Sequence, residues 1–367
     1  MSTVSESRDV MASHAGWAGV LSVLQRFAVI GVWGTIIALY SALEPGTFDT
    51  SGTFQTIFGS QAALVFLALA FLCTVLVGEF VDLSVASILG LCATLLAVLN
   101  VTDHVSLPLS CLIAVGAGAA AGALNGLLVV CLSINTIVVT LGMSTLLSGL
   151  ALAISNLTPI SGMSASFGRI ALTRLAGLPI SFFYGIALAL VFAYILGATP
   201  LGRHIRFIGA NREVSRLAGV SVNRIRFGAF LCAGVLCGVG GVIVAAGLGG
   251  FDPSTSTTYL LPTVSAVFLG SAAISPGRFN PLGTIVAVYF LATGIVGLEE
   301  LGLAGWISDV FYGAALILTV TLTTLLGRRP KAAPLRRGAK ASDPLRHFDE
   351  AEAGLGATGG AETGERG

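Results

Sequence analysis

The sequence predicts an all-α polytopic membrane protein of about ten transmembrane helices, and three observations carry that prediction. Hydrophobic residues fill 55% of 367 positions before 47 glycines are counted, and only 10% are charged, against roughly 25% in soluble domains. The chain also contains long stretches without Asp, Glu, Lys or Arg. Finally, most of the basic residues gather in one long linker and the C-terminal tail, apart from most of the acidic ones. With 19 basic and 18 acidic residues over the whole length, most of the surface must face something other than water. A net charge of +1 offers nucleic acid no electrostatic footprint.

The charge-free runs are 27–43, 50–78, 83–102, 104–168, 175–202, 227–251, 253–277, 279–298 and 310–327. A spanning helix needs ~20 apolar residues. The fourth run has 65 residues, enough for two crossings, and Ser133-Ile134-Asn135 supplies polar residues for a tight connection. Ten crossings place both termini on one side. The 198–226 linker then shares that side and holds Arg203, Arg206, Arg212, Arg216, Arg224 and Arg226 against Glu213, while seven basic residues lie between Arg328 and Arg346. The opposite linkers hold Glu44, Asp49, Asp103, Asp252, Glu299, Glu300 and Asp309, with Arg169 and Arg174 as exceptions. Basic linkers stay cytoplasmic, so both termini are expected in the cytoplasm.

The expected organisation is a cytoplasmic N-terminal tail over 1–24, a transmembrane domain over 25–327, and a C-terminal tail over 328–367. The first residues lack the order of charge, apolar core and cleavage site that marks a signal peptide. Beyond Arg328 the chain turns to Pro, Gly, Ala and charge, a composition that cannot offset its ordering entropy and predicts disorder.

Two places break the membrane pattern. In Gly78-Glu79-Phe80-Val81-Asp82-Leu83-Ser84 two carboxylates interrupt the apolar runs. Charges at the bilayer centre cost ~2.5–3.5 kcal/mol on insertion scales. The segment is therefore either an interfacial turn with solvated acids or a discontinuous helix whose backbone and Asp82 line a path. The second break runs from Gly270 to Gly283 and includes Ser275, Pro276, Arg278 and Pro281. Its prolines are expected to stop helices, and the short stretch from Tyr259 to Ile274, with Pro262 inside, to form a kinked or partly penetrating helix. Short, Gly/Pro-interrupted segments in both halves point to a transporter's path. A faint echo between Gly78-x-Phe80-x-Asp82-x-Ser84 and Gly250-Phe251-Asp252-Pro253-Ser254 fits a pair of inverted five-helix halves.

Gly118 and Gly122 lie four apart on one face of a Gly/Ala-rich stretch and predict close helix packing. Asn125, just beyond, either bonds across helices or faces a solute. The six cysteines, Cys73, Cys92, Cys111, Cys131, Cys232 and Cys237, sit in apolar runs without a C-x-x-C pair and read as small hydrophobes. The four histidines, His14, His104, His204 and His347, lie in tails or linkers, so no metal site and no catalytic residue is expected.

Within the basic linker, Asn211 can cap a short helix, Glu213 suits its first turn, and Gly219 can close it in a left-handed conformation. Val214, Leu217 and Ala218 fall on one face, Arg212 and Arg216 on another. A helix of about two turns cannot stand alone in water. Its apolar stripe must dock, either on the chain's own helix ends or on a cytoplasmic partner.

The stretch from Leu201-Gly202-Arg203 through Gly209-x-Asn211, Glu213-x-x-Arg216-Leu217-Ala218-Gly219-Val220 and Asn223-Arg224 resembles the linker of bacterial ABC-type monosaccharide permeases of the ribose and xylose group. Three further segments agree in order. Asp82-Leu83-Ser84-Val85 resembles that family's G-G-x-D-L-S-V-G segment. Leu124-Asn125-Gly126-Leu127-Leu128-Val129 with Ile137-Val138-Val139-Thr140-Leu141-Gly142-Met143 resembles its L-N-G-x-L-V and F-I-V-T-L-G pair. Gly270, Ser275, Gly277, Arg278 and Gly283-Thr284 resemble its G-x-x-S-x-x-G-x-G-x-x-x-G-T region. The chain departs from the pattern at Glu79 and Ala86, which replace glycines, and at Pro276 and Pro281.

The resemblance covers roughly 60–326 and implies a permease subunit of the bacterial inner membrane. It would pair with a second copy or paralogue, sit over two ATP-binding subunits, and receive a monosaccharide or similar small polar solute from an extracytoplasmic binding protein. ATP and Mg would be bound by the partner, with no cofactor in this chain, which has no G-x-x-x-x-G-K-[ST] cradle. The residues expected to couple to the ATPase are Glu213, Val214, Arg216, Leu217, Ala218 and Gly219. Those expected along the path are Asp82, Ser84, Asn125, Thr140, Ser275 and Arg278. An ion-coupled secondary transporter is the alternative and should carry ionisable residues in mid-span; a polytopic membrane enzyme would need convergent catalytic groups that the sequence does not show.

Overall fold

At the centre of the structure lies a helix that is apolar all round, α3 (Ala62–Leu76), in which every residue from Ala63 to Val75 is buried. Such a helix has no solvent stripe to direct it and is stable only when enclosed. The computed structural model describes residues 27–303 and 305–327; the tails expected at 1–24 and 328–367 fall outside them. The chain divides into two compact units, Met1–Thr324 and Leu325–Gly367, and the first of these contains the helical bundle.

Preceding α3 are α1 (Phe27–Leu43) and α2 (Ser51–Gly59). After it come α4 (Val85–Ala97), α5 (Leu107–Gly126), α6 (Thr136–Ile154), α7 (Ala165–Leu172) and α8 (Ile180–Ala198). The second half holds α9 (Pro200–Ala210), α10 (Arg212–Leu217), α11 (Val222–Leu248), α12 (Leu260–Gly270), α13 (Pro281–Glu300) and α14 (Trp306–Gly327). Among the described residues, four two-residue strands form two antiparallel pairs. β1 (Ile160–Ser161) meets β4 (Gly250–Phe251), and β2 (Arg174–Leu175) meets β3 (Leu178–Pro179).

Among the described residues, seven helical stretches are long and apolar enough to cross a membrane: Ser51–Leu76, Val85–Thr102, Leu107–Cys131, Thr136–Ile154, Ile180–Ala198, Val222–Leu248 and Pro281–Glu300. Phe27–Leu43, Trp306–Thr321 and the 11-residue α12 occupy the remaining charge-free runs. Helices α4 and α5 each end in one wide π turn, Val98–Thr102 and Leu127–Cys131. The 65-residue run is divided where the polar triplet predicts, with Asn135 capping α6 through the Ile137 amide at 2.9 Å.

Helix α11 packs along α3, α4 and α5, while α12 and α13 cover another side of α3. The α5–α11 contact is the tightest. A Cβ on Gly118 would lie 2.5 Å from the Gly234 carbonyl, and one on Gly122 would lie 3.0 Å from the Gly234 Cα. The small-residue face read from Gly118 and Gly122 is thus matched by Gly234 and Gly238 on the facing helix, which lets the backbones touch. Helices α6 and α8 are only 28% and 22% buried within the chain and present leucines such as Leu141 and Leu190 outward. Helix α1 is tied to α13 by Trp33 Nε1 donating to Thr293 Oγ1 (2.9 Å) and Tyr40 donating to the Gly294 carbonyl (3.1 Å).

Two expectations about proline are corrected. Pro262 does not kink a helix from within, because a 3-10 turn, Pro253–Tyr259, precedes α12 and places Pro262 in its first turn, where a missing N–H costs nothing. Pro281 does not stop a helix either. It starts α13 directly after the Asn280 cap.

Candidate functional site

The first break begins where Gly78 ends α3. With φ at +82° it occupies the left-handed C′ position, the Gly78 amide bonding to the Val75 carbonyl (3.0 Å) and the Glu79 amide to Thr74 (3.0 Å). This 5→2 and 6→1 pair is a Schellman stop. It delivers Glu79 at the end of the most buried helix. The chain then runs without regular structure until Asp82 Oδ1 accepts from the Ser84 amide (3.1 Å) and hydroxyl (2.7 Å), a turn that launches α4.

Glu79 and Asp82 are 5% and 1% exposed, which excludes the interfacial turn with solvated acids. The partners of the break as a whole come from four elements, α5, α6, α10 and α11. Asn125 of α5 donates through Nδ2 to Ser84 Oγ (2.8 Å), leaving its buried Oδ1 without a partner. Thr140 of α6 reaches the Val81 carbonyl at 3.4 Å. Thr136, at the start of α6, donates to Glu79 Oε2 (2.5 Å). Arg212 and Arg226 converge on Glu79 Oε1. Just inside, Ser87 of α4 is hydrogen-bonded to Ser144 (2.8 Å) and Ser148 (3.0 Å) of α6.

Asp82, Ser84, Asn125 and Thr140, chosen from the sequence, therefore share one polar cluster. Ser275 and Arg278 belong to the second break, half-buried and exposed respectively. That break is closed by Asn280, which caps α13 by accepting from the Gly283 amide (2.6 Å) and donates to the Gly270, Ala273 and Arg278 carbonyls. The two breaks are neighbours, since Phe80 and Phe279 have ring centroids 6.1 Å apart. The echo between the halves extends to geometry. Asp252 Oδ1 accepts from the Ser254 amide (2.9 Å) and hydroxyl (2.7 Å), repeating the Asp82–Ser84 turn.

Helix α10 forms as its local signals require. Asn211 Oδ1 accepts from the Val214 amide (3.1 Å), Glu213 lies in the first turn, and Gly219 has φ +79°. Ser215 is turned inward, whereas Val214 is 61% and Leu217 88% exposed. Arg216 and Ala218 are also exposed. The apolar face is therefore not docked on the chain's own helix ends.

Sequence reasoning overlooked the roles of Glu79, Thr136, Arg212, Arg226 and Asn280. One signal pointed to the first of them. The expected topology puts Gly78–Ser84 on the same side as the arginine-rich linker, so an acid there has six arginines within reach of one surface.

A broken-helix polar core inside apolar spans, with an exposed apolar face on a short linker helix, defines a polytopic helical membrane protein built to pass a solute rather than to transform one. The chain belongs to the family described as the branched-chain amino acid transport system permease component, whose model matches residues 53–320; it is a transport permease component, not an enzyme. It is 32% identical over 295 residues to the autoinducer 2 import system permease protein LsrC of Enterobacter sp. (strain 638), covering 80% of this chain and 84% of that one. To the ribose import permease protein RbsC of Escherichia coli (strain K12) it is 28% identical over 293 residues, covering 78% and 89%. The permease protein LsrD of Yersinia pseudotuberculosis serotype O:1b (strain IP 31758) is 32% identical over 255 residues, covering 67% and 75%. The resemblance to ribose-group permeases is borne out by these relatives. No solved structure matches the chain significantly.

Proposed function

We propose that this chain is the permease subunit of an ATP-driven importer in the bacterial inner membrane, passing a neutral, monosaccharide-sized polar solute delivered by an extracytoplasmic binding protein. The observation that carries the coupling to ATP is the undocked face of α10, whose Val214 and Leu217 stand exposed on a six-residue helix. The neutral solute is supported by the lining chemistry. Around the first break the groups outside the Glu79 cluster are mostly hydroxyls and one amide, from Ser84, Ser87, Asn125, Thr140, Ser144 and Ser148. Among the described residues every ion pair belongs to Glu79, so the two arginines of the cluster are already taken up by a carboxylate of the chain itself. The unpartnered Oδ1 of Asn125 would accept from a solute hydroxyl once the path opens. Two permease copies, or this chain and a paralogue, over two ATP-binding subunits would form the complex. ATP and Mg would reside in those subunits.

The test is reconstitution of the permease with its ATP-binding subunits and binding protein in proteoliposomes, assayed with labelled pentoses, hexoses and polyols. ATP-dependent accumulation of at least one is expected. Uptake driven by an ion gradient without ATP would replace this reading with the secondary transporter.

Asp82 would orient the backbone of the break or meet the solute near the cytoplasmic gate, with Ser275 and Arg278 along the facing break. Asp82→Asn is expected to insert normally and slow uptake about tenfold, the equivalent of one charge-assisted hydrogen bond. Full uptake by Asp82→Ala at unchanged expression would remove the carboxylate from the path.

The ten-span arrangement with cytoplasmic termini and inverted halves is tested by single cysteines in a background lacking the six native ones. An impermeant reagent applied to intact cells should label positions 49, 166 and 254 and miss 213 and 339. Labelling at 213 would reverse the orientation.

A further inference from the structure

Glu79 stands where the family pattern has a glycine, and it joins parts of the chain that the break alone would leave separate. Its Oε1 accepts from Arg212 Nη2 (2.7 Å) and from Arg226 Nε (2.9 Å) and Nη2 (2.5 Å), while Oε2 accepts from Thr136 (2.5 Å). Arg212, the first residue of α10, also donates to the Gly78 carbonyl (2.7 Å), one of the groups left over at the end of α3. From the exposed face at Val214 and Leu217, the contacts thus run through Arg212 to Glu79, three residues before Asp82.

The two arginines are not equivalent. The Arg226 side chain is 14% exposed and that of Arg212 is 37% exposed, with the carboxylate between them at 5%. A buried carboxylate with a single partner is costly to part from it, because an unpaired charge is left behind. At this site Arg212 can leave while Arg226 and Thr136 still satisfy Glu79. The carboxylate is therefore held in place from inside by Arg226 and Thr136, while Arg212 joins it to α10.

We infer that Glu79 is a positioning residue for transport: clamped by Arg226 and Thr136, it grips Arg212 of α10 so that displacement of the linker helix shifts the segment carrying Asp82. This rests on the reading of the chain as an ATP-coupled permease.

The test uses the full chain, co-expressed with its ATP-binding subunits in inverted membrane vesicles, carrying Phe80→Cys in the cysteine-free background. Phe80 is exposed, and its cysteine is probed with an impermeant maleimide, with and without ATP and vanadate. In the parent, nucleotide should change the labelling rate about fivefold or more, the lower end of site-to-site coupling. Glu79→Gln should abolish that response while the ATP-binding subunits still co-purify, and Glu79→Asp should restore part of it. Arg212→Gln should give the same loss, with Glu79→Gln and Arg212→Gln non-additive when combined. A residue that merely stabilised the fold would shift the rate equally with and without nucleotide. An unchanged nucleotide response in Glu79→Gln, or in Arg212→Gln where the former is not produced, overturns the clamp and leaves the permease reading intact. Failure of any ATP-binding subunit to co-purify with the parent overturns both.

Discussion

Leu217→Asp is expected to reach the membrane at normal levels, lose uptake, and fail to retain the ATP-binding subunits on detergent purification. Leu217 is 88% exposed, so the substitution is expected to leave the fold of this chain unaltered. Its effect arises only in the complex. There the α10 face would enter a groove on the ATP-binding subunit, and an ionised carboxylate buried without a partner is heavily penalised. Gly219→Val should produce the same phenotype through the backbone, since Gly219 holds φ +79° with open space around it. A β-branched residue tolerates that conformation poorly, and the closing turn of α10 would be lost. Co-purification of the ATP-binding subunits with Leu217→Asp at parental stoichiometry, with transport-linked hydrolysis intact, would take the linker out of coupling and weaken the importer assignment.

Gly234→Ala is expected to be strongly destabilising, even though alanine is the better helix former. In a helix interior the exchange gains about 1 kcal/mol in propensity. A Cβ at Gly234, however, would collide with the Gly118 carbonyl and lie 2.8 Å from the Gly122 Cα, both backbone atoms that cannot swing aside. Overpacking costs about 1–3 kcal/mol where side chains can adjust, and in this contact α5 and α11 must separate along their length. The sign should therefore be destabilising. Gly116→Ala is the control, because a Cβ there meets nothing within 4 Å, and it should be neutral or stabilising. Thermal unfolding of the purified chain in detergent reads both. Equal midpoints for the two variants would show that the α5–α11 contact is looser than the structure has it.

The elements legible in the sequence are those whose signals are local. Charge-free length places the long helices because lipid imposes it directly. Asn211 and Gly219 frame α10 because a cap and a left-handed stop act within a few residues of themselves. The Gly118–Gly122 stripe identifies a packing face, and the D-x-S pattern at Asp82 and Asp252 specifies one turn geometry twice. The same local reading misassigned Pro262 and Pro281, since a proline that ends one helix and a proline that begins the next differ only in which residue caps it. Asn280 and the 3-10 turn at Pro253–Tyr259 made that choice.

What needed the tertiary structure was every pairing between distant segments. Nothing near Glu79 shows that its partners are Arg212 and Arg226, 133 and 147 residues away, or that Phe80 meets Phe279. Nor does the composition of α3 distinguish it from other apolar runs, although it lies enclosed from Ala63 to Val75 while α6 and α8 are largely exposed. The physical reason is common to these cases. Transfer into lipid depends on each segment's own apolarity, whereas the choice of neighbour among equally apolar helices depends on backbone approach and on the few polar groups that must find partners within the bundle. Those few groups, Glu79 foremost, therefore reveal their roles only when the helices are assembled.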